Sequence, residues 1–398
     1  MSQLHKIVFK IRICLFALMS AQIFVQAFPS FGPVGSESGL MGNSGIALSS
    51  TSSSGALNPA SFYGMIGSRI SASSSMLQMS RLNVSSSSQI IDRTEAPQLQ
   101  LGSAYIFSKQ NIAGFEFGVF VSEDQNMKAT KYLEMDQFID GSFQIDFDFE
   151  LTRIGLIVAT NVNDSIFVGI TPTIYFWNRS SINLTKTDSG GLATLKQYDK
   201  RQQQMLGSLR LGTLIRFESF SLGAFAETSG SMISNSQTLL RSSVESTGAV
   251  FDDSNTRPTN EVTPPMLGMG IKLGSKDKFE FLADTIYTFS TDYVDQSEST
   301  DPEKQKMKST KMNQYSIGAR WPSEMINGFL STGIQHSRTY DYSGSSDAHI
   351  NYLNFGAETK ISFVTTYLNF FYAGLKNLDE SASTMENFGL SMGTEFSY

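Results

Sequence analysis

The last eleven residues of the chain alternate strictly between two kinds of side chain. One set is Phe388, Leu390, Met392, Thr394, Phe396 and Tyr398, and the other is Gly389, Ser391, Gly393, Glu395 and Ser397. A period of two places these sets on opposite faces of a β-strand. A strand with one apolar face and an aromatic end is typical of two structures, a half-buried soluble strand and the closing strand of a Gram-negative outer-membrane barrel.

The N-terminus predicts export. A basic region, residues 5–12, precedes an apolar run at 13–25, and the small-residue rule for signal-peptide cleavage is met at 25–27. We therefore expect residues 1–27 to be removed as a signal peptide. The run is too short to cross a bilayer as a helix, and no later stretch reaches the roughly 18 apolar residues required. Cys14, the single cysteine, leaves with the signal, so the mature chain has no disulfide framework.

The composition favours a β-barrel and disfavours nucleic acid as a partner. Loss of Lys6, Lys10 and Arg12 with the signal leaves 27 basic and 37 acidic side chains, a formal net charge of −10. A charge of this sign repels nucleic acid and anionic surfaces. A hydrophobic content of 40% is low for a helical membrane protein but suits a barrel with one polar face. The length allows one large domain.

From residue 66 onward the alternation predicts fourteen strands. They cover 67–82, 97–108, 111–122, 141–160, 165–182, 202–217, 219–234, 262–274, 277–294, 308–321, 326–341, 348–360, 362–377 and 386–398. Short connections alternate with long ones, and the longest are 83–96, 123–140, 183–201, 235–261 and 295–307. Bacterial barrels sort their connections in this way, with tight turns on the periplasmic side. The predicted fold is therefore all-β, a 14-stranded antiparallel transmembrane β-barrel at residues 66–398.

Residues 28–65 are predicted to occupy the lumen as an N-terminal hatch. About eight strands already enclose as much space as side chains can fill, so a wider barrel needs something else inside. The segment is rich in glycine and serine, which favours turns and close contacts. The alternative is a disordered periplasmic tail.

Two motifs in this segment resemble the hatch of the FadL-type outer-membrane transporters. They are Gly42-Asn-Ser-Gly-Ile-Ala-Leu48 and Ala56-Leu-Asn-Pro-Ala-Ser-Phe62, whose most recognisable part is the triplet Asn58, Pro59 and Ala60. Two departures stand out. Ser61 occupies a position where the family often has glycine, and 49–54 is nearly all serine and threonine where relatives usually have acidic residues.

The resemblance implies passive uptake of hydrophobic compounds such as long-chain fatty acids or aromatic hydrocarbons. It implies a hydrophobic small-molecule ligand, no cofactor and no catalytic activity. It also implies a barrel that is inserted by the barrel assembly machinery and surrounded by outer-membrane lipid and lipopolysaccharide.

In that family the ligand leaves sideways through a kink in the third strand. The corresponding stretch here is 112–120, where Gly114 and Gly118 are the predicted lateral gate. We expect both glycines, together with Glu116, to face the lumen. Glycine inside a strand often marks a bulge or a close approach. The alternative is an ordinary taper of the lumen.

The fifth and sixth predicted strands supply candidate ligand contacts. If the even-numbered apolar residues of the fifth strand face lipid, Phe167, Tyr175 and Trp177 line the lumen. Pro172 in that strand removes a ladder donor and predicts a bulge. If that bulge reverses the register, Tyr175 and Trp177 are interface residues instead.

Arg210 and Arg216 share the polar face of the sixth strand. An inward arginine could bind a carboxylate headgroup through two hydrogen bonds. The alternative is a salt bridge to a lumen acid such as Asp146, Asp148 or Glu150. A change of parity within the fourth strand further predicts a bulge at 152–153.

Three other functions compete with hydrophobic uptake. His336 and His349 lie near Asp341 and Asp347, and a His–Asp pair can activate water. No serine motif or metal-ligand spacing accompanies them, so an enzyme is disfavoured. A general diffusion porin for small polar solutes and a structural or adhesive barrel remain the alternatives.

Overall fold

The structure is a computed structural model. It describes residues 37–49, 52–63, 69–86, 89–94, 98–107, 111–112, 114–135, 140–189, 192–245, 250–255, 262–275, 277–294, 306–308, 311–340, 347–377 and 383–397. The predicted signal peptide and Tyr398 lie outside these residues. Within them, no helix is long and apolar enough to cross a membrane.

The described residues form two short α-helices, two 3₁₀ helices and twenty strand segments. The helices are α1 (Glu37–Leu40), α2 (Ser52–Leu57) and the 3₁₀ turns Pro59–Phe62 and Glu324–Ile326. The strands are β1 (Arg69–Ser86), β2 (Gln89–Thr94), β3 (Gln98–Phe107), β4 (Asn111–Ile112), β5 (Phe115–Met135), β6 (Asp140–Asn161), β7 (Ile166–Ser189), β8 (Leu192–Arg216), β9 (Phe220–Glu227), β10 (Ser231–Glu245), β11 (Val250–Asn255), β12 (Met266–Gly274), β13 (Glu280–Thr288), β14 (Asp292–Val294), β15 (Lys306–Lys308), β16 (Lys311–Ser323), β17 (Gly328–Tyr340), β18 (Asp347–Ile361), β19 (Val364–Asn377) and β20 (Ser383–Ser397).

Eighteen of these segments form a single sheet that closes on itself. β1 pairs with β20 in antiparallel register from Arg69↔Ser397 to Val84↔Ser383. Several segments share one crossing: β2 to β4, β9 with β10, and β11 with β12. The sheet therefore crosses fourteen times, which confirms the predicted barrel and its strand count. Closure leaves no sheet edge, as a barrel in lipid requires.

The two faces of the wall differ as the alternation predicts. In β20, Ser391 and Glu395 are buried, while Phe388, Met392 and Phe396 are 45%, 38% and 42% exposed. Other exposed apolar residues on the outer face include Phe115, Val119, Leu156, Ile174, Phe176, Leu211, Leu222, Leu267, Met269, Ile317, Ile334, Leu353, Phe355 and Phe370. A closed barrel with such an outer band is the surface that lipid acyl chains cover.

One end of the barrel carries the tight connections, at 162–165, 217–219 and 324–327 among others, and is called the short-turn end. At the opposite end the strands run further than the sequence predicts. The predicted loops 123–140 and 183–201 are mostly strand, because β5 and β6 pair to Met135↔Gly141 and β7 and β8 to Ser189↔Leu192. Charged and amide side chains are frequent in both stretches, but backbone pairing does not require an apolar face.

Both bulge predictions need correction. Pro172 is exposed within β7, yet β7 keeps one register with β8 from Ile166 to Ser189. Proline lacks an N–H, and the pairing of β7 with β6 is interrupted at two positions there. The register between the two strands is the same on both sides of this gap. The bulge expected at 152–153 lies instead on the neighbouring strand, where β5 shifts register between Glu123 and Gln125 opposite that point.

Candidate functional site

Residues 37–49 and 52–63, called the hatch segment below, lie inside the barrel. Their described side chains are buried except those of Ser49 and Tyr63. The three helical elements of the hatch segment are short, so many of its backbone polar groups need partners outside them. Strands on several sides of the barrel supply them.

One set of anchors holds the first half of the hatch segment. The Asp284 carboxylate on β13 accepts hydrogen bonds from the backbone N–H groups of Gly45 at 2.5 Å and Ile46 at 2.9 Å. On β17, the Gln335 side-chain oxygen accepts a bond from the Asn43 amide at 2.7 Å. The atoms that form these bonds are buried, so water does not reach them. Each hydrogen bond therefore supplies the partner that water would otherwise provide.

Asn58 of the Asn-Pro-Ala triplet joins both halves of the hatch segment to the wall. Its side-chain amide donates to the carbonyl oxygens of Ile46 and of Thr213 on β8, each at 2.9 Å. Its side-chain oxygen accepts from the Ala60 N–H at 3.2 Å, which caps the 3₁₀ turn. The Ser61 hydroxyl donates to the Asn58 carbonyl at 2.6 Å, so the serine that departs from the family pattern fits here.

Three cross-strand pairs of glycines carry the hatch backbone. They are Gly169↔Gly212 between β7 and β8, Gly223↔Gly270 between β9 and β12, and Gly318↔Gly333 between β16 and β17. The first pair faces Pro59, the second Ile46 and the third Met41. A Cβ on Gly169 would lie 2.5 Å from the Pro59 carbonyl carbon. The backbone approaches the wall this closely only because these positions lack side chains.

Arg210 on β8 connects the wall to the second half of the hatch segment. Its Nε donates to Glu227 Oε2 at 2.8 Å, and its Nη1 donates to the last two carbonyl oxygens of α2 at 2.8 and 3.0 Å. The hydroxyls of Tyr175 and Ser208 donate to Glu227 Oε1 at 2.5 and 2.6 Å. Arg210 thus has a lumen acid as its partner, as the alternative predicted, but that acid is Glu227 on β9.

A second buried arginine holds the start of the hatch segment. Arg320 on β16 forms ion pairs with Glu37 of α1, Glu280 of β13 and Glu358 of β18, the last at 3.2 Å. A guanidinium has five N–H donors in a planar fork, which allows it to serve several carboxylates. The cluster ties α1 to three strands.

Apolar contacts complete the seat. Ala56 and Phe62 pack in one buried cluster with Phe120 of β5 and with Ile157 and Ala159 of β6. Phe120 and its neighbours therefore place the second half of the hatch segment directly beside β5. This is the strand that carries the predicted lateral gate.

Phe167 and Arg216 contact the end of the hatch segment. Phe167 packs with Ala60 and Leu214 and stacks on Tyr63 with ring centroids 5.4 Å apart. The Arg216 guanidinium lies 4.6 Å from the Phe167 ring and donates to the Tyr63 carbonyl at 3.3 Å. Both residues were predicted as ligand contacts, and the structure places them against the Asn-Pro-Ala turn.

Tyr175 and Trp177 lie further along the same strand. Tyr175 is 4% exposed and points inward like Phe167, and its hydroxyl donates a hydrogen bond to Glu227. Trp177 follows on the same face and is half-buried. The three aromatic residues thus share the inner face of β7, as the alternation predicts. Their contact with a ligand stays a prediction.

The wall beside the hatch segment is weakly paired between β3 and β5. These strands pair at four positions, 103–106 against 119–122. Towards the opposite end, residues 123–135 of β5 pair with β6, and no pairing with β2 or β3 occurs among the described residues. Towards the short-turn end, Ile106↔Val119 is the last pair between β3 and β5 among the described residues, and β4 then pairs with β5 at Glu116 and Phe115. Among the described residues, the ladder between β3 and β5 is therefore a short patch of four pairs that is interrupted on both sides.

The two gate glycines occupy different environments. Gly118 is buried on the inner face of β5, next to Val119, the last β5 residue that pairs with β3 among the described residues. Gly114 does not face the lumen. It lies exposed in the turn between β4 and β5 with φ +84°, and no atom lies within 4 Å of where its Cβ would be. The turn requires left-handed backbone, which glycine adopts without strain.

The histidines lie on the outer face, away from the hatch segment. The rings of His336 on β17 and His349 on β18 have centroids 5.3 Å apart, and His336 Nδ1 lies 2.8 Å from Asn351 Oδ1. Asp341 lies outside the described residues. Among the described residues, no group of three or more possible metal ligands is present.

The sequence assigned no wall residue to the seat of the hatch segment. Asp284, Gln335 and Glu227 look like any other polar residue on an inward face. The glycine pairs carried a weak signal, since Gly212 and Gly223 occupy inward positions on adjacent predicted strands. Their pairing required the register between strands, which one sequence does not contain.

Neither a protein-family model nor a curated protein matches the sequence. Solved structures do match over nearly the whole chain. The toluene transporter TodX of Pseudomonas putida superposes with a TM-score of 0.68 at 12% identity, over 94% of this chain and 99% of that one. The CymD monoaromatic hydrocarbon channel gives 0.64 at 14% identity, over 94% and 99%. A Pseudomonas aeruginosa FadL homologue gives 0.61 at 10% identity, over 92% and 98%. The chain therefore has the fold of FadL-type barrels.

Proposed function

We propose that the protein is an outer-membrane channel for the passive uptake of hydrophobic compounds, with lateral release into the membrane. One observation carries the proposal: the hatch segment occupies the lumen near the short-turn end, beside the interrupted β3–β5 ladder. A molecule that enters from the opposite end meets the hatch segment ahead of it and the weakly paired wall beside it. Leaving into lipid lowers the free energy of an apolar molecule but raises that of a polar one.

The fold supports the ligand class. The matching structures are described as toluene transporters, a monoaromatic hydrocarbon channel and a FadL homologue. Arg210 and Arg216, which the sequence offered as partners for a carboxylate, are engaged with Glu227 and the hatch segment. We therefore propose that recognition rests on apolar contact, with Tyr175 and Trp177 on the lumen wall, rather than on either of these two cations.

The proposal extends to the biogenesis and location of the chain. Residues 1–27 act as the signal peptide, and 28–65 form the hatch of the barrel at 66–398. The barrel assembly machinery inserts the protein into the outer membrane of a Gram-negative bacterium, where lipid and lipopolysaccharide surround it. In this function the protein makes and breaks no covalent bond, and it binds no nucleic acid.

The test of function compares three solutes in liposomes that contain the purified protein. A labelled long-chain fatty acid and toluene should enter faster than they enter empty liposomes, while a small sugar should cause no swelling. Rapid sugar swelling without faster uptake of either hydrophobic probe would show a diffusion porin instead.

The route of release has its own test at Gly118. Replacing Gly118 with phenylalanine places a ring on the inner face of β5 beside the short β3–β5 ladder, so uptake of both hydrophobic probes should fall several-fold. The matched control is Val121→Phe, which places the same ring on the lipid-facing side of β5, where Val121 is 40% exposed. Equal uptake by both variants would contradict release at this point.

A further inference from the structure

The outer surface of β16, β17 and β18 changes from apolar to cationic towards the opposite end of the barrel. The registers align outward residues in rows. From the middle of the wall outward, the rows are Ile317–Ile334–Leu353, then Tyr315–His336–Asn351, then Asn313–Arg338–His349. Two of the three histidines of the chain thus stand beside an arginine on three adjacent strands.

The apolar row marks where acyl chains lie. Ile317, Ile334 and Leu353 are 52%, 56% and 50% exposed, on a wall that otherwise faces lipid. Successive outward residues of a strand are about 7 Å apart. A lipid whose chains lie on this row therefore places its headgroup at the level of His336, Arg338 and His349. Tyr315, 52% exposed between the two regions, occupies the interfacial position that tyrosine prefers.

The polar side chains are suited to a phosphate. A guanidinium offers paired N–H donors that match phosphate oxygens, and a protonated imidazole nitrogen adds another donor. The His336 and His349 rings are 5.3 Å apart, close enough for one phosphate group to reach both. His336 Nδ1–H donates to Asn351 Oδ1 at 2.8 Å, which orients the ring, and Nε2 carries a proton for a phosphate oxygen when the ring is an imidazolium.

We propose that these residues, Tyr315, His336, Arg338, His349 and Asn351, form a binding site for the phosphate of a phosphorylated outer-leaflet glycolipid. They are called the outer cationic patch. The occupant is a lipid because the apolar row continues directly beneath the cations. This inference rests on the place of the barrel in the outer membrane but not on what passes through its lumen, so it can fail while the transport function stands.

The test measures lipid retention by the full-length mature protein in detergent, using native mass spectrometry. The probes are lipid A with its phosphates and the same lipid after enzymatic dephosphorylation. The phosphorylated lipid should be retained more strongly by the wild type. In a variant with H336Q, R338Q and H349Q, its retention should weaken by about tenfold, because the variant removes the guanidinium and both imidazoles that face the headgroup.

The matched control is Arg201→Gln, which removes an exposed outward arginine on β8, away from the patch. It should keep wild-type retention. Compact migration of unheated samples on denaturing gels confirms that each barrel is folded. Equal retention of the two probes by the wild type would overturn the proposal, as would a triple variant that binds phosphorylated lipid A like the wild type.

Discussion

At the residue scale, Asn58 shows why a polar side chain can hold an irregular segment inside a barrel. Ile46 lies in a stretch of the hatch segment without regular secondary structure, so its carbonyl group needs a donor from a side chain. The Asn58 amide donates to this carbonyl and to that of Thr213 in the wall. A buried polar group left unpaired costs about 1–3 kcal/mol, a cost that the bond to Ile46 removes.

The glycine pairs lead to a prediction at the same scale. Replacing Gly169 with valine directs a side chain into the backbone at Pro59, where even a Cβ would be 2.5 Å from the carbonyl carbon. Overpacking of this kind typically costs about 1–3 kcal/mol. The wall strands pair independently of this contact. We therefore expect the hatch segment to loosen at Pro59 while the ring of strands stays paired. Channel recordings should show new open events, and the hatch segment should become sensitive to protease.

Gly207 on β8 is the matched control for Gly169. It faces outward, and a Cβ there would lie 3.1 Å from the end of the Ile233 side chain, which can move. G207V should therefore record like the wild type. If G169V also shows no open events and its hatch segment resists protease, the glycine pairs do not seat the hatch segment.

At the scale of elements, the strands were predictable wherever lipid and lumen impose opposite demands on successive residues. This is why the faces of β20 and the inward positions of Phe167 and Tyr175 follow from alternation alone. The long ends of β5 to β8 were missed because their pairing depends on the backbone, which leaves no mark on side-chain polarity. The seats of the hatch segment were missed because Asp284 and Gln335 gain their roles only through the register of distant strands.

The extended hairpin of β7 and β8 gives a prediction of its own. Thr185 and Lys196 are register partners in a stretch whose sequence predicted a loop. Partners in an antiparallel ladder have Cα atoms about 4.5 or 5.5 Å apart, within the range of a disulfide. A T185C/K196C variant should therefore cross-link on mild oxidation. The only native cysteine, Cys14, lies in the predicted signal peptide and should not interfere.

The control for that cross-link shifts one partner by a single residue. In T185C/L195C the two thiols should lie on opposite faces of the hairpin, because side chains alternate along a strand. Gel mobility with and without reductant distinguishes the two variants. Equal cross-linking in both would indicate a mobile loop in place of the ladder.

At the scale of the whole molecule, the proposed function divides the closing of the lumen between the wall and the hatch segment. Arg210 and Arg320, with the carboxylates around them, bind the two ends of the hatch segment to different parts of the circumference. The contacts reach β8, β13, β16 and β17, so movement of the whole segment would break bonds on many strands at once. Among the described residues, in contrast, β3 and β5 pair at four positions. In the proposed function, the wall at this point opens at a lower cost than the seat of the hatch segment.

Deleting residues 37–63 tests this division of work directly. Fourteen strands enclose more space than their side chains fill, so a folded barrel without the hatch segment should conduct ions continuously and admit small sugars. The matched comparison is G118F, in which the hatch segment is intact and the lumen should stay closed to both. Planar-bilayer conductance and liposome swelling measure the effect, and compact gel migration verifies the deleted barrel. A folded deletion variant with the low conductance of the full chain would mean that another part of the protein closes the lumen.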